Sequence, residues 1–300
     1  MFEEEVGIHI YSIDQNGSAK LVRMHEHLPG KRRYYLSHCN GLLCIYDSYD
    51  YKLSILNLTT GESIVLPDYE PNFQEDEEGM HFEFCFDAQC QKYKVLYADN
   101  IQYPVDIQVL TVKRECSWLA VTKTQDITSL EDCVSVNGRL FWIDCLRIVF
   151  FDFSNNEFGE IDISYMYEEG SYYAYSLLEF EGNLCLLERT HLPRSYLKIS
   201  KLWMLKDVDN KVWVLLMKDV ALPFKGTKLR GTKWIRENKP NFLASNEEIL
   251  VTASDGKEQY MFIYSFLSNQ FKKIKIVGLP KRKMSWKNHV ENYCSLKDLV

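Results

Sequence analysis

Histidine, cysteine and acidic side chains are the groups through which this 300-residue chain could do chemistry. His25-Glu26-His27 could place two imidazoles on one face of a strand. A zinc site needs a third and usually a fourth ligand, so the triplet reads as solvated histidines on a connecting loop. Cys85 and Cys90 have neither the spacing nor the second pair of a zinc site. Asp207-Val208-Asp209-Asn210 supplies carboxylates without the rest of a calcium loop and reads as a strand turn. Asp87 and Asp152 end apolar runs at matching points of two repeats. Paired carboxylates can do acid–base work, but turn and strand-end hydrogen bonding also explains them. Glycine-rich phosphate loops and the Gly-x-Ser-x-Gly elbow are missing from the sequence. No catalytic residue, metal or cofactor is expected.

The elements that would position these groups are short β-type runs. Tyr34 to Cys39, Leu42 to Ile45, Leu53 to Leu58 and Glu62 to Leu66 follow one another, separated by Asn40-Gly41, a tyrosine-rich gap and Thr59-Thr60-Gly61. Asn-Gly between apolar runs signals a two-residue hairpin, because both central residues of a type I′ turn need positive φ. Val134 to Ile161 repeats the pattern around Asn137-Gly138, and related units begin near Phe82, Tyr175 and Asn241. Gly138 follows Gly41 by two repeats of roughly 48 residues, in the range of four-stranded propeller blades. The expected fold is all-β and β-propeller-like, with about six four-stranded blades. In it, Gly7 to Arg23 and the C-terminal Val290 to Leu296 together complete the sixth blade and close the ring, hiding two sheet edges. An open or two-layer sandwich is the alternative. Residues 1–6 form an acidic extension and 7–300 a single domain. Trp118, Trp142, Trp203 and Trp213 read as core and inter-blade packing.

Three hundred residues admit two domains or one large all-β domain. A net charge of −7 argues against a general nucleic-acid binder. Nine cysteines is an odd number, and Cys44, Cys85, Cys133 and Cys185 lie in apolar runs. Buried thiols are expected in preference to a disulfide framework, which suits a reducing cytosol or nucleus. The N-terminus lacks the regions of a signal peptide, and no apolar run reaches membrane-spanning length. Asn16-Gly17-Ser18 and Asn57-Leu58-Thr59 match the glycosylation sequon by chance on this reading. Lys281-Arg282-Lys283 reads as a solvated connector, with a nuclear import signal as the alternative. The expected location is cytoplasmic or nuclear, with no membrane and no nucleic-acid partner.

Six groups of residues, in order along nearly the whole chain, resemble the F-box-associated, kelch-like domain of plant F-box proteins. They are Ser37 to Cys44 around Asn40-Gly41; Leu56-Asn57-Leu58-Thr59-Thr60-Gly61 before Leu66-Pro67; Phe84-Cys85-Phe86-Asp87 with Tyr93-Lys94-Val95; Val136 to Trp142 with Phe151-Asp152-Phe153 and Phe158; Leu202-Trp203-Met204 with Asp207 and Trp213; and Tyr293 with Ser295-Leu296. The resemblance implies a non-enzymatic module that captures protein substrates for a Skp–cullin–F-box ubiquitin ligase. Family members carry an F-box ahead of this domain, whereas only Met1 to Val6 precede the first strand here. Binding of the Skp adaptor and cullin is therefore expected only if an F-box is supplied elsewhere. A stand-alone interaction propeller and an enzyme on a propeller scaffold are the alternatives.

In a four-stranded meander the first and third turns share one end, and the middle loop and inter-blade connector share the other. The short turns here fall at the first end. The long segments Tyr46 to Tyr51, Pro67 to Met80, Asn100 to Val105, Ser164 to Ala174, Arg189 to Tyr196 and Lys218 to Pro240 fall at the second. Long loops on a rigid scaffold are where binding usually sits, and tyrosine suits interfaces. The candidate partner-binding face is Tyr46, Tyr49, Tyr51, Tyr69, Tyr103, Tyr167, Tyr172 and Tyr196, with acidic Glu77 and basic Lys228 and Arg230. Ordinary solvated loops are the competing reading of the same segments.

Overall fold

The chain is described by a computed structural model at residues 7–26, 34–47, 50, 52–67, 80–99, 105–113, 116–124, 133–166, 173–192, 196–225, 241–245, 248–254, 258–279 and 291–299. These residues carry a β-propeller arrangement of four-stranded antiparallel blades. The first blade is β3 (Tyr34–Cys39), β4 (Leu42–Asp47), β5 (Lys52–Asn57) and β6 (Ser63–Val65), after the N-terminal hairpin of β1 (Gly7–Ile13) and β2 (Ala19–Glu26). The second is β7 (Met80–Asp87), β8 (Lys92–Asp99), β9 (Val105–Thr111) and β10 (Trp118–Thr124). The third is β11 (Val134–Val136), β12 (Arg139–Asp144), β13 (Arg147–Asp152) and β14 (Glu157–Asp162). The fourth is β15 (Tyr173–Phe180), β16 (Asn183–Leu192), β17 (Tyr196–Asp207) and β18 (Val212–Lys225). The fifth is β19 (Asn241–Ser245), β20 (Glu248–Ser254), β21 (Gln259–Ser265) and β22 (Gln270–Ile276).

Among the described residues, then, five blades are complete, and the expectation of about six is corrected. The sixth is represented only by β1–β2, a two-stranded sheet. The turn of that hairpin meets the end of β22 through a parallel bridge between Ser18 and Val277. Gly17 sits at φ 85°, and a Cβ there would fall 2.2 Å from the Lys275 carbonyl oxygen, so only glycine permits the approach. Among the described residues, the C-terminal segment forms no ladder with β1–β2. Residues 291–299 contain no strand; they end in a 3-10 turn, Leu296–Asp298, and pack on the first blade. Backbone carbonyls and amides there are satisfied by side chains of the first blade, which removes the need for a ladder.

Two compact units account for the chain: residues 31–166 with 289–300, and residues 1–30 with 167–288. In the first unit the core lies between successive blades. Leu42, Cys44, Tyr46, Leu53 and Ile55 meet Phe82, Phe84, Tyr93, Val95 and Tyr97. The opposite face of the second blade, with Cys85, Leu96, Ala98, Ile107 and Val109, meets Leu140, Trp142, Val149, Phe151 and Phe153 of the third. A blade covered on both sides explains why β8 is buried at every position from Tyr93 to Ala98 instead of alternating. In the second unit Leu178, Phe180, Cys185, Leu187 and Leu202 meet Ile249, Val251, Phe262 and Tyr264. Neighbouring blades approach through their first strands, β3 against β7 and β15 against β19.

The turns follow the sequence signals. Asn40-Gly41 and Asn137-Gly138 have φ of 48° and 78°, and 48° and 75°. The closing turns follow a second rule. In four of them, a strand-end residue accepts amide hydrogens from the turn, and a residue four positions later takes positive φ: Asn57 with Gly61, Asp152 with Asn156, Asp207 with Lys211, Ser265 with Asn269. Asp87 and Gln91 make the same turn. Asp87 and Asp152 are therefore equivalent in geometry but not in position, because Asp87 belongs to the first hairpin of its blade and Asp152 to the third.

None of the nine cysteines is in a disulfide. Cys44, Cys85 and Cys185 are buried as expected, whereas Cys133 is only half-buried. Trp142 is fully buried; Trp118 packs edge-on against Tyr97, and Trp203 and Trp213 are half-buried.

Candidate functional site

Of the residues expected on the partner-binding face, Tyr46 is placed elsewhere. It lies in β4, is 2% exposed, and stacks on Phe82 with ring centroids 4.3 Å apart, so its ring belongs to the core. Tyr196 is the first residue of β17 instead of a loop residue, paired with Leu192 and Lys225. The segments 189–192 and 218–225, expected as loop, extend β16 and β18. Tyr49, Tyr51, Tyr69, Tyr103, Tyr167, Tyr172, Glu77, Lys228 and Arg230 lie outside the described residues. So do Lys281-Arg282-Lys283 and the side chains of the His25-Glu26-His27 triplet.

The short-turn end of the first unit is a connected polar layer. Asn57 Nδ2 donates to the Asn292 and Cys294 carbonyls, both at 3.0 Å, while its Oδ1 accepts from the Thr59 and Thr60 amides. Asn292 Nδ2 donates to the Asn40 carbonyl, and Glu62 accepts from Ser295 Oγ and from the Leu296 amide. Asp87 accepts from the Gln89 amide and pairs with buried Lys94 at 2.9 Å; Lys94 Nζ also donates to the Phe153 carbonyl of the third blade. Burial alone would raise the Asp87 carboxyl, but hydrogen bonds from Lys94, Cys90 and the Gln89 amide hold it below the usual carboxylate range. Asp152 behaves alike: burial opposes ionisation, and Ser154 and Arg139 more than offset it. Carboxylates so fully engaged are structural anchors, not the converging acid–base pair of an enzyme.

A second cluster sits where the first strands of the blades approach. Ser37 of β3 donates through Oγ to Glu83 Oε2 at 2.8 Å and accepts from the Phe84 amide at 3.0 Å. Glu83 Oε1 lies 3.2 Å from His81 Nε2, and Cys133 Sγ lies 3.7 Å from the same nitrogen. Sequence reasoning missed this group. His81 and Glu83 show a two-residue strand spacing, but Cys133 arrives from another blade and carries no linear signal.

The model of the F-box associated beta propeller domain matches residues 1–300. The chain belongs to that family. Among curated relatives, the F-box/kelch-repeat protein At4g19930 of Arabidopsis thaliana is 24% identical over 89% of this chain and 69% of its own length. The F-box protein At3g07870, also of Arabidopsis thaliana, is 26% identical over 81% of this chain and 66% of its own. The chain thus spans about two thirds of the length of the curated relatives it matches. A solved structure of a Lactobacillus plantarum protein is 12% identical, covers 93% of this chain and 81% of that one, and superposes with a TM-score of 0.49.

In this F-box associated domain, several of the residues that carried the resemblance are turn and cap residues, and the rest lie mainly in strands. Asn40-Gly41 and Asn137-Gly138 turn the opening hairpins, Asn57 and Asp152 cap the closing ones, and Asp87 with Lys94 ties the second blade to the third. Ser295 and Leu296 fasten the C-terminal segment.

Proposed function

We propose that this domain is the substrate-capturing part of a Skp–cullin–F-box ubiquitin ligase, a protein-binding module and not an enzyme. The observation that carries the reading is the family match across residues 1–300, together with relatives named as F-box proteins. In the unit of residues 31–166 with 289–300 the short-turn end is occupied by its own polar layer, which favours recognition at the end that carries the longer connections between strands. The Skp adaptor and cullin would be reached through an F-box supplied outside residues 7–300. Work in the cytoplasm or nucleus, where the ubiquitin machinery operates, fits thiols kept reduced.

The test is affinity capture from plant extract with and without proteasome inhibition. Captured proteins that accumulate under inhibition, and whose ubiquitination rises when the domain is fused to an F-box, support the reading. Reversal of Glu75, Asp76, Glu77 and Glu78 to lysine should weaken that capture without moving the melting temperature. Capture that is indifferent to the inhibitor and to the fused F-box would leave a binding propeller without a ligase role. Turnover of a small substrate by the purified chain would overturn the non-enzymatic reading.

A further inference from the structure

We propose that His81, Glu83 and Cys133 form a binding site for a zinc-class divalent ion. The three ligand atoms lie within 4.8 Å of one another, with His81 Nε2 3.2 Å from Glu83 Oε1 and 3.7 Å from Cys133 Sγ. Zinc bonds of about 2.0–2.3 Å at tetrahedral angles give ligand-to-ligand edges of roughly 3.3–3.6 Å. The His81–Glu83 and His81–Cys133 edges lie close to these, so an ion could enter with small side-chain adjustments. One imidazole, one carboxylate and one thiolate is a donor set that zinc accepts, whereas magnesium and calcium prefer oxygen alone.

The fold presents the set in a way the sequence does not. Strand pleating puts His81 and Glu83 on one face of β7. Cys133 is brought in immediately before β11, so the ion would link the second and third blades. The carboxylate is already oriented. Ser37 Oγ holds its second oxygen, leaving Oε1 directed at the imidazole, and Ser37 is itself fixed by the Phe84 amide. Outer hydrogen bonds of this kind accompany metal ligands and set their direction. His81 and Glu83 side chains are 24% and 19% exposed, which gives an entry path. Three protein ligands leave a fourth position for water or for a side chain of a bound partner.

The test uses the full chain, reduced, stripped with a chelator and titrated first with cobalt(II) and then with zinc. One cobalt per chain, a thiolate-to-cobalt absorption band, displacement by zinc and a zinc-dependent rise in melting temperature are expected. Cys133→Ser should abolish the band and weaken zinc binding at least tenfold. His81→Gln should weaken binding by a similar factor with the circular dichroism spectrum unchanged, and it decides the matter if Cys133→Ser does not fold. Cys90→Ser and Cys294→Ser, at exposed thiols, should leave the band in place. A folded wild-type chain without a thiolate band, or zinc affinity unchanged in His81→Gln, would overturn the assignment.

Discussion

Asn57 is fully enclosed, and both ends of its amide are in use. Truncation to alanine strands two carbonyls of the C-terminal segment and two turn amides. Each buried polar group left without a partner costs about 1–3 kcal/mol, and water can reach some of them after relaxation. Asn57→Ala should therefore lower stability by about 2–4 kcal/mol, read from the urea midpoint at constant slope. A midpoint equal to wild type would show that the segment is held by other contacts. The thiols make a second residue-scale case. Burial pushes Cys39 up to about 11 and Cys185 up to about 12, and raises Cys44 and Cys85 as well. A thiol held protonated and covered is a poor nucleophile. Alkylation near neutral pH, followed by mass spectrometry, should mark exposed Cys145 and Cys294 first. Cys44, Cys85 and Cys185 should react only after denaturant is added.

At the scale of the element, the hairpin turns are where charge meets backbone geometry. Asp87 and Asp152 are ionised more easily in the folded chain than in the unfolded one. Their stabilising contribution is complete above the unfolded value of about 3.9 and is lost as the pH falls below it through the lower folded value. Stability should thus fall on acidification below about pH 4. In Asp87→Asn that acid slope should be shallower, although the variant starts from lower stability because buried Lys94 loses its counter-charge. Equal slopes in urea titrations across pH would remove Asp87 from the account. The third blade offers a steric case. Gly159 is paired with Phe150, whose ring lies where a Cβ would sit, with the ring Cζ 2.1 Å from it. Gly159→Ala must displace a half-buried ring that also faces Phe141 and Arg139. A loss of about 1–3 kcal/mol is expected from overpacking. A stabilised variant would mean that the ring swings out freely.

At the scale of the whole molecule, the C-terminal segment belongs to the first blade. Leu296 is 1% exposed and packs in the core shared by the first and second blades. Leu296→Ala should cost about 2–5 kcal/mol, the range for truncating a buried leucine. Hydrogen exchange should then rise in β3 to β8, with β15 to β22 little changed, because these strands lie in different compact units. A uniform rise over all blades would mean that the two units unfold together. Five blades plus a two-stranded hairpin also explain why a period count of about six comes close without being met. The period counts hairpins, and β1–β2 is a hairpin of the right kind that acquires no further strands among the described residues.

The sequence by itself determined the local pieces. Asn-Gly dictates a type I′ turn because both residues must take positive φ, and the apolar runs dictate strands. The repeat of such pairs was enough to read four-stranded blades, and the family was legible as a resemblance of six groups of residues in order along the chain. Asp87 and Asp152 were legible as turn residues for the same local reason. Tertiary structure decided whatever depends on residues distant in the chain. Tyr46 looks like an interface tyrosine at a strand end, yet the second blade covers it with Phe82. Val290 to Leu296 looks like a closing strand, yet from Asn292 to Leu296 side chains of the first blade take up backbone groups that a ladder would have used. His81, Glu83 and Cys133 meet only because two blades pack, and no linear spacing encodes that meeting. Turn chemistry acts over a few residues and is written in order along the chain. Packing acts between surfaces, and its partners are set only when the blades come together.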